Sequence, residues 1–310
     1  MQRATIAALA TVLLLVSSVG AGPVAAQGAQ AYTGTNVTFE TENGAVVDYA
    51  VDGQTMVESV ETQSQSGAES SGSVEAGVSL SAVTEISGAA LSVESTTETS
   101  ASVSAESGAT MTAHDNEHGI LVVRSGGESQ YVTANLSGST EGEQESESRV
   151  VVTQDDGTKG TFIVVGDGEV TVNEAGNVSA ELGQDGKLVF RSYPEERSSE
   201  DEQQEQLIAD GEAAAEVYVM STAESGSESG GEFATDVVTY SEDTTVEVTE
   251  RSEGTVRMTV ERSQEQGKVV ITSVAEQAIS STEDMQVTVD GEAAARVSSY
   301  SELESAANGG

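Results

Sequence analysis

The stretch His114-Asp115-Asn116-Glu117-His118 holds both histidines of the chain. Its spacing matches H-x-x-E-H, a zinc-hydrolase pattern. There a helix turns two imidazoles toward one metal ion and the glutamate serves as base. His114, Glu117 and His118 are therefore the metal candidates. The flanks argue against a helix, because Thr110-Met-Thr-Ala before and Gly119-Ile-Leu-Val-Val after read as strand, turn and strand. No third ligand downstream can be singled out. The reading carried forward is a polar turn, with no cofactor.

Other oxygen-rich positions are more dispersed. The turns around Asp155, Asp167 and Asp185 could offer oxygens to calcium, which takes six to eight. Their spacing fits no known calcium loop, and Asp-Gly turns with solvated carboxylates explain them. Asp210 and Asp290 precede Gly211 and Gly291 in the same manner. Asn36-Val-Thr38, Asn135-Leu-Ser137 and Asn177-Val-Ser179 are N-glycosylation sequons, so Asn36, Asn135 and Asn177 are modification candidates. Serines are too many and histidines too few to argue a Ser/His/Asp set. With no cysteine, thiolate metal sites, disulfides and a cysteine nucleophile are excluded. With no tryptophan and few aromatics there is no obvious sugar platform for a paired-carboxylate glycosidase. The residues point to no enzyme.

Charge sets the environment. The chain carries 53 acidic and 12 basic residues, a formal net charge of −41. Apart from Arg3, no Lys or Arg precedes Arg124. Such a chain repels itself in dilute buffer. In molar salt the Debye length falls to roughly 3 Å and the repulsion is screened. Phosphate backbones would repel it, which excludes nucleic-acid binding.

Residues 1–26 read as a signal peptide: Arg3, an apolar run from Ala7 to Val19, and Val24-Ala25-Ala26 as a cleavage pattern. No second apolar stretch approaches the ~20 residues that span a bilayer. The expected chain is exported and extracellular or at the cell surface, without a membrane span once the signal is removed.

The elements that would carry these residues are strands. Alternation of apolar and polar residues starts near Tyr32, with Asn43-Gly44 as a hairpin turn. Expected units are an N-terminal β domain over 27–140 with a Ser/Ala-rich segment, a β-meander over 148–193, and a C-terminal β region over 205–310. Residues 62–73 read as a polar loop, and 74–113 as light strands or a stalk. Gly119–Arg124 and Gln130–Leu136 read as a hairpin. Glu141–Glu147, Pro194–Glu205 and Ala223–Glu232 read as acidic linkers. The hexapeptide DGEAAA occurs at 210–215 and 290–295, and Gly53, Gly127, Gly211 and Gly291 lie 74, 84 and 80 positions apart. This spacing predicts an all-β fold of several sandwich-like units of about 80 residues.

The acidic, cysteine-free, lysine-poor composition, the leader and the strand ending Tyr49-Ala-Val-Asp-Gly53 resemble secreted, β-rich surface or envelope proteins of halophilic archaea. The resemblance implies a salt-adapted surface protein and carries over no catalytic residues. The functional expectation is an extracellular structural or adhesive protein whose partners are further copies of itself or envelope components. The alternatives are a calcium- or carbohydrate-binding surface module and a secreted hydrolase.

Overall fold

The computed structural model of the chain describes residues 24–25, 35–74, 78–97, 99–138, 140–194, 196–221, 233–252, 255–262, 269–275, 288–289 and 292–293. The leader therefore falls, apart from Val24 and Ala25, outside the described residues. So do the linker 223–232 and most of the second DGEAAA copy.

In chain order the first elements are β1 (Val24–Ala25), β2 (Thr38–Glu42), β3 (Ala45–Val51), β4 (Gln54–Ser64) and α1 (Gln65–Ser71), followed by a 3-10 turn at Leu80–Ala82. Next come β5 (Leu91–Thr96), β6 (Ser100–Ala105), β7 (Thr110–His114), β8 (Ile120–Arg124), β9 (Gln130–Leu136) and β10 (Thr140–Ser146). Then follow β11 (Arg149–Gln154), β12 (Lys159–Val165), β13 (Gly168–Val172), β14 (Val178–Leu182), β15 (Lys187–Tyr193) and α2 (Ser199–Ala209). The last are β16 (Ala213–Ser221), β17 (Phe233–Thr239), β18 (Thr244–Ser252), β19 (Thr255–Arg262), β20 (Val269–Val274), β21 (Thr288–Val289) and β22 (Glu292–Ala293). The fold is all-β.

Two large antiparallel sheets form a sandwich. Sheet A runs β1-β2-β3-β4-β9-β14-β13 and sheet B runs β10-β11-β12-β15-β8-β7-β6-β5. Alternation puts Val46, Val60, Val132, Ala134, Val178 and Ala180 on the inner face of A. Met111, Leu121, Val123, Phe162, Val164, Leu188 and Phe190 face them from B. Tyr49 is fully buried in this core, edge-on to Phe190 at 6.0 Å, and its hydroxyl donates to Gly119 O at 3.1 Å. Asn43-Gly44 and Asp52-Gly53 make two-residue hairpin turns with positive φ at both residues, the geometry that suits the strand twist.

The sandwich is not the whole stack. Ile120, Val122, Ile163, Val165 and Val189 point outward from sheet B and are buried all the same. They are covered by Leu207 and Ile208 of α2 and by one face of a small sheet C, ordered β17-β16-β20. The other face of C packs Val217, Val219 and Phe233 against Val246, Val248 and Met258 of the β18–β19 hairpin. This explains why ILVV at 120–123 and FIVV at 162–165 are continuous apolar runs: both faces of those strands are covered.

Several sequence expectations are corrected by this topology. The 27–140 and 148–193 segments are not separate units, because each supplies strands to both sheets. β8 and β9 are not a hairpin. β8 pairs with β7 and β15 in one sheet, and β9 pairs with β4 and β14 in the other. The corner between them is held by Ser125 N to Gly186 O and Gly127 N to Gln184 O, both 3.1 Å. The 148–193 segment is not a simple meander, since β12 pairs with β15 while β13 and β14 cross to sheet A. Glu141–Glu147 is no linker: all but Glu147 lies in edge strand β10, whose mostly exposed side chains let carboxylates stay in water. Residues 199–205 form the first part of α2, and 62–64 complete β4 before α1 begins.

Of the spaced glycines, Gly53, Gly127 and Gly211 do not mark equivalent positions, and Gly291 lies outside the described residues. Gly53 closes a hairpin, Gly127 lies in the corner between two sheets, and Gly211 follows the end of α2. The first DGEAAA runs from the end of a helix into buried β16. In the second, Thr288–Val289 pairs with Glu292–Ala293.

Gly126 shows how tight the corner is. A Cβ there would lie 1.9 Å from Gly108 O, and φ is +69°. Gly127, with φ +94°, has open space around it. Gly127→Ala should cost about 1–2 kcal/mol from the left-handed backbone alone. Gly126→Ala should cost clearly more, because backbone must also move. Urea unfolding of the two variants checks the order.

Candidate functional site

The sequence candidates come first. His114 ends β7, and Asp115–Gly119 is the tight connection to β8. This is the expected turn, but it is buried beneath sheet C rather than solvated: His114, Asp115 and Asn116 are all buried. His114 Nδ1 lies 3.0 Å from Asp236 Oδ1, and Asn116 Nδ2 donates to Asp236 Oδ2 at 2.8 Å. Thr99 Oγ1 donates to Asp236 Oδ1 at 3.2 Å. His118 Nδ1 faces Ser192 O at 3.3 Å, with its ring edge-on to Tyr193 and Tyr218. Glu117 lies apart and accepts from Ser273 Oγ at 2.6 Å. The two imidazoles thus face different protein partners, and among the described residues no three acidic, histidine or cysteine side chains are placed to hold a metal.

Beside this turn lies a layer of buried charge between sheet B and the outer elements. Arg191, fully buried on β15, pairs with Glu216 of β16 at 3.1 Å and donates to Gln204 Oε1 of α2 at 3.1 Å. Tyr218 and Tyr240 also donate to Glu216. Burial opposes the charge on Arg191, but Glu216 and the surrounding tyrosines outweigh it and keep the guanidinium protonated. Glu205, fully buried on α2, accepts from Tyr193 Oη (2.6 Å), Arg197 Nε (2.8 Å) and Thr161 Oγ1 (2.9 Å). Burial alone would raise its pKa; those bonds, led by Arg197, hold it below the usual carboxylate value. Such a pair is costly to break, since the partner is left charged and dry.

The second region lies on the outer face of sheet A. Ser59, Glu61 and Gln63 of β4 sit beside Asn135, Thr133 and Tyr131 of β9 in register. Residues 65–74 and 78–90 lie across this face as a strap. Ser64 caps α1 by accepting from Gly67 N, and Gly72 ends it in the left-handed conformation. Ala68, Val74, Leu80, Val83 and Ile86 cluster against Tyr131. Asn173 Nδ2 and Ser179 Oγ both donate to Val83 O, at 3.2 and 2.5 Å, and Ser87 N donates to Gln63 Oε1 at 3.1 Å. Between strap and sheet remains a half-open groove of about 660 Å³, lined among others by Glu61, Glu85, Thr133, Asn135, Val78 and Ile86. Partial burial, and then the charge of Glu85, raise the Glu61 pKa. No sequence motif marked this groove, because its walls come from three separated segments.

The sequons divide. Asn36 is exposed, with φ +48°. Asn135 Nδ2 is engaged by Ser59 Oγ at 2.8 Å, and Asn177 Oδ1 accepts from Leu136 N at 3.0 Å. The turns of Asp167 and Asp185 lie side by side, joined by Gly183 N to Asp167 O at 2.8 Å.

No family model matches the sequence, and no curated protein matches it. Among solved structures, a glycoside hydrolase family 81 mutant from Clostridium thermocellum is similar at a TM-score of 0.41 and 10% identity. The match covers 74% of this chain and 34% of that one, so this chain spans about a third of its length. No activity is transferred from that likeness.

Two outcomes test the buried layer. Arg191→Met should lose about 3–5 kcal/mol by stranding Glu216, measured by denaturant unfolding at constant salt. His118 has a pKa held well below that of free imidazole, by burial first and then by Arg191. In the unfolded chain it takes a proton near pH ~6.5, whereas in the fold it stays neutral. Its contribution is therefore complete above pH ~6.5 and lost as pH falls below it. Glu205, with its lowered pKa, adds a loss only below pH ~4.3. Stability measured from pH 8 to 4 should fall in that order, and His118→Phe should flatten the first part.

Proposed function

We propose that the chain is an exported, salt-adapted structural or adhesive protein that works outside the cell by contact rather than by catalysis. The observation that carries this reading is the difference between the two edges of sheet B. Edge β10 presents Glu141, Glu143 and Glu145 and is blocked to strand addition by charge. Edge β5, Leu-Ser-Val-Glu-Ser-Thr, pairs among the described residues only with β6 and carries the single charge of Glu94. Its residues beyond Leu91 are all exposed, and Val93 is 40% exposed.

Next to it, Ser92 and Ser104 share a hydrogen bond of 3.0 Å, and Ser102 and Thr112 one of 3.1 Å. Small hydroxyl side chains make this flank of the sheet low in relief, and a neighbouring strand can approach it closely. The bulge between Val93 and Ser95 limits how long an added strand can be. Concentrated salt removes the repulsion that a charge of −41 sets between copies. The leader-like residues 1–26 and the resemblance to secreted halophilic proteins support the extracellular setting.

Static light scattering at about 3 M sodium chloride tests the reading. The expected result is association that rises with protein concentration and is abolished by Val93→Lys with Ser95→Lys, at unchanged circular dichroism. A wild-type chain that stays monomeric to its solubility limit and does not sediment with cells would overturn it.

A further inference from the structure

The groove on sheet A contains an unexplained atom. Thr133 is 1% exposed, and its hydroxyl has no hydrogen-bond partner. Buried hydroxyls are nearly always bonded, and one left alone calls for an explanation such as a missing ligand. Thr133 lies directly opposite Glu61 in the β4–β9 register, and both line the groove with Glu85. Asn135, opposite Ser59, has its amide nitrogen committed to that serine, so its carbonyl oxygen is what remains to accept from a ligand. Among the described residues the polar wall thus offers acceptors: the carboxylates of Glu61 and Glu85, a hydroxyl oxygen and an amide carbonyl.

No Lys or Arg lies between Arg3 and Arg124, so neither the strap nor β4 offers a cation to the groove. The opposite wall is aliphatic, with Val74, Val78, Val83 and Ile86. The volume, about 660 Å³, is in the range of organic-ligand sites and far larger than one ion. Among the described residues the lining holds two carboxylates, few for a divalent ion, which usually takes six or more oxygens.

We propose that the groove between Ser73, Val74 and residues 78–87 on one side and strands β4 and β9 on the other binds a primary ammonium group on an aliphatic stem. The ammonium donates to Glu61, Glu85 and Thr133 Oγ1, and the stem lies along Val78, Val83 and Ile86. A bound positive charge relieves the repulsion between Glu61 and Glu85. It also gives the Thr133 hydroxyl its missing partner. The same chemistry belongs to a free aliphatic amine and to a lysine side chain of another protein.

The test is calorimetric titration of the full mature chain at about 1 M sodium chloride. The probes are pentane-1,5-diamine, Nα-acetyl-lysine N-methylamide, pentan-1-ol and calcium chloride. Saturable binding of the diamine, the lysine derivative or both, with none of the alcohol, is expected. Binding of the lysine derivative assigns the source to protein lysines, and binding of the diamine alone assigns it to free amines. Glu61→Gln should weaken binding by roughly tenfold and Thr133→Val by roughly threefold to tenfold. Glu141→Gln, a carboxylate on the far edge β10, should change nothing. Each variant is first checked for an unchanged unfolding midpoint; Glu85→Gln, on the exposed strap, replaces Glu61→Gln if that variant is unstable.

The proposal is overturned by absence of saturable amine binding up to about 50 mM, weaker than any useful affinity. It is also overturned if amine binding is untouched by Glu61→Gln and Glu85→Gln, which would make the amine a diffuse counter-ion of the acidic surface. Calcium binding at these residues that displaces the amine would overturn it as well, by making the groove a metal site.

Discussion

The layers of this protein are held in register by a few buried charges. Of 12 basic residues, Arg124, Arg149, Lys187, Arg191 and Arg197 all reach from the sandwich side to α2 or the outer sheet, or sit between them. The Arg191–Glu216 and Arg197–Glu205 pairs lie away from water. On the surface an ion pair contributes little and is weakened by salt. Between sheet B and α2, Glu205 and Glu216 would be intolerable without Arg197 and Arg191. The pairing therefore selects one arrangement of the layers, because any slip strands a charge.

That constraint complements a light hydrophobic core. Chain-wide, aromatics make up 4% of residues, and the interior is mostly Val, Ala, Leu and Ile. Small β-branched side chains interdigitate across thin sheets but define geometry loosely. Tyr49, Phe162 and Phe190 form one rigid point in the sandwich. Elsewhere, hydrogen bonds from tyrosine hydroxyls and asparagine amides fix what bulk does not. Asp236, gathering Thr99, His114 and Asn116 across from sheet C, is the same device at the other end of the layer.

The outer face of sheet A obeys a different rule. Its strap is tied down at Val83 by two hydrogen bonds to that carbonyl and at Ser87 by Gln63. Gly44 and Gly88 pack so closely that a Cβ on either would meet the other's backbone at 2.8 Å. The groove under the strap is thus a consequence of anchored ends around an unfilled middle. Thr133, whose hydroxyl has no hydrogen-bond partner, lies among the residues that line it.

Much of the strand content was legible in the amino-acid sequence. Period-two alternation, the Asn43-Gly44 turn and the Gly/Asp turns at 155–157, 166–168 and 184–186 place most strands within a residue or two. Two further signals lie in the sequence. Ser198 with Asp201 and an acidic first turn announced α2 by its capping box, hidden by the overall negative charge. Apolar runs at 120–123 and 162–165 announced strands covered on both faces. What local pattern did not contain was pairing. Whether β9 joins β8 or β4 depends on which faces find apolar partners across the molecule, and a hairpin and a crossover look alike along the chain.

Local alternation and turn residues thus determined an all-β chain and located its turns, and composition gave a formal net charge of −41. Only the tertiary structure decided that the histidines spend themselves on Asp236 and Ser192, that sheet B meets α2 and sheet C on a seam of ion pairs, and that Glu61 and Thr133 share a groove. The physical reason is that strand propensity is written locally, whereas burial and charge pairing depend on contacts between residues far apart in the chain.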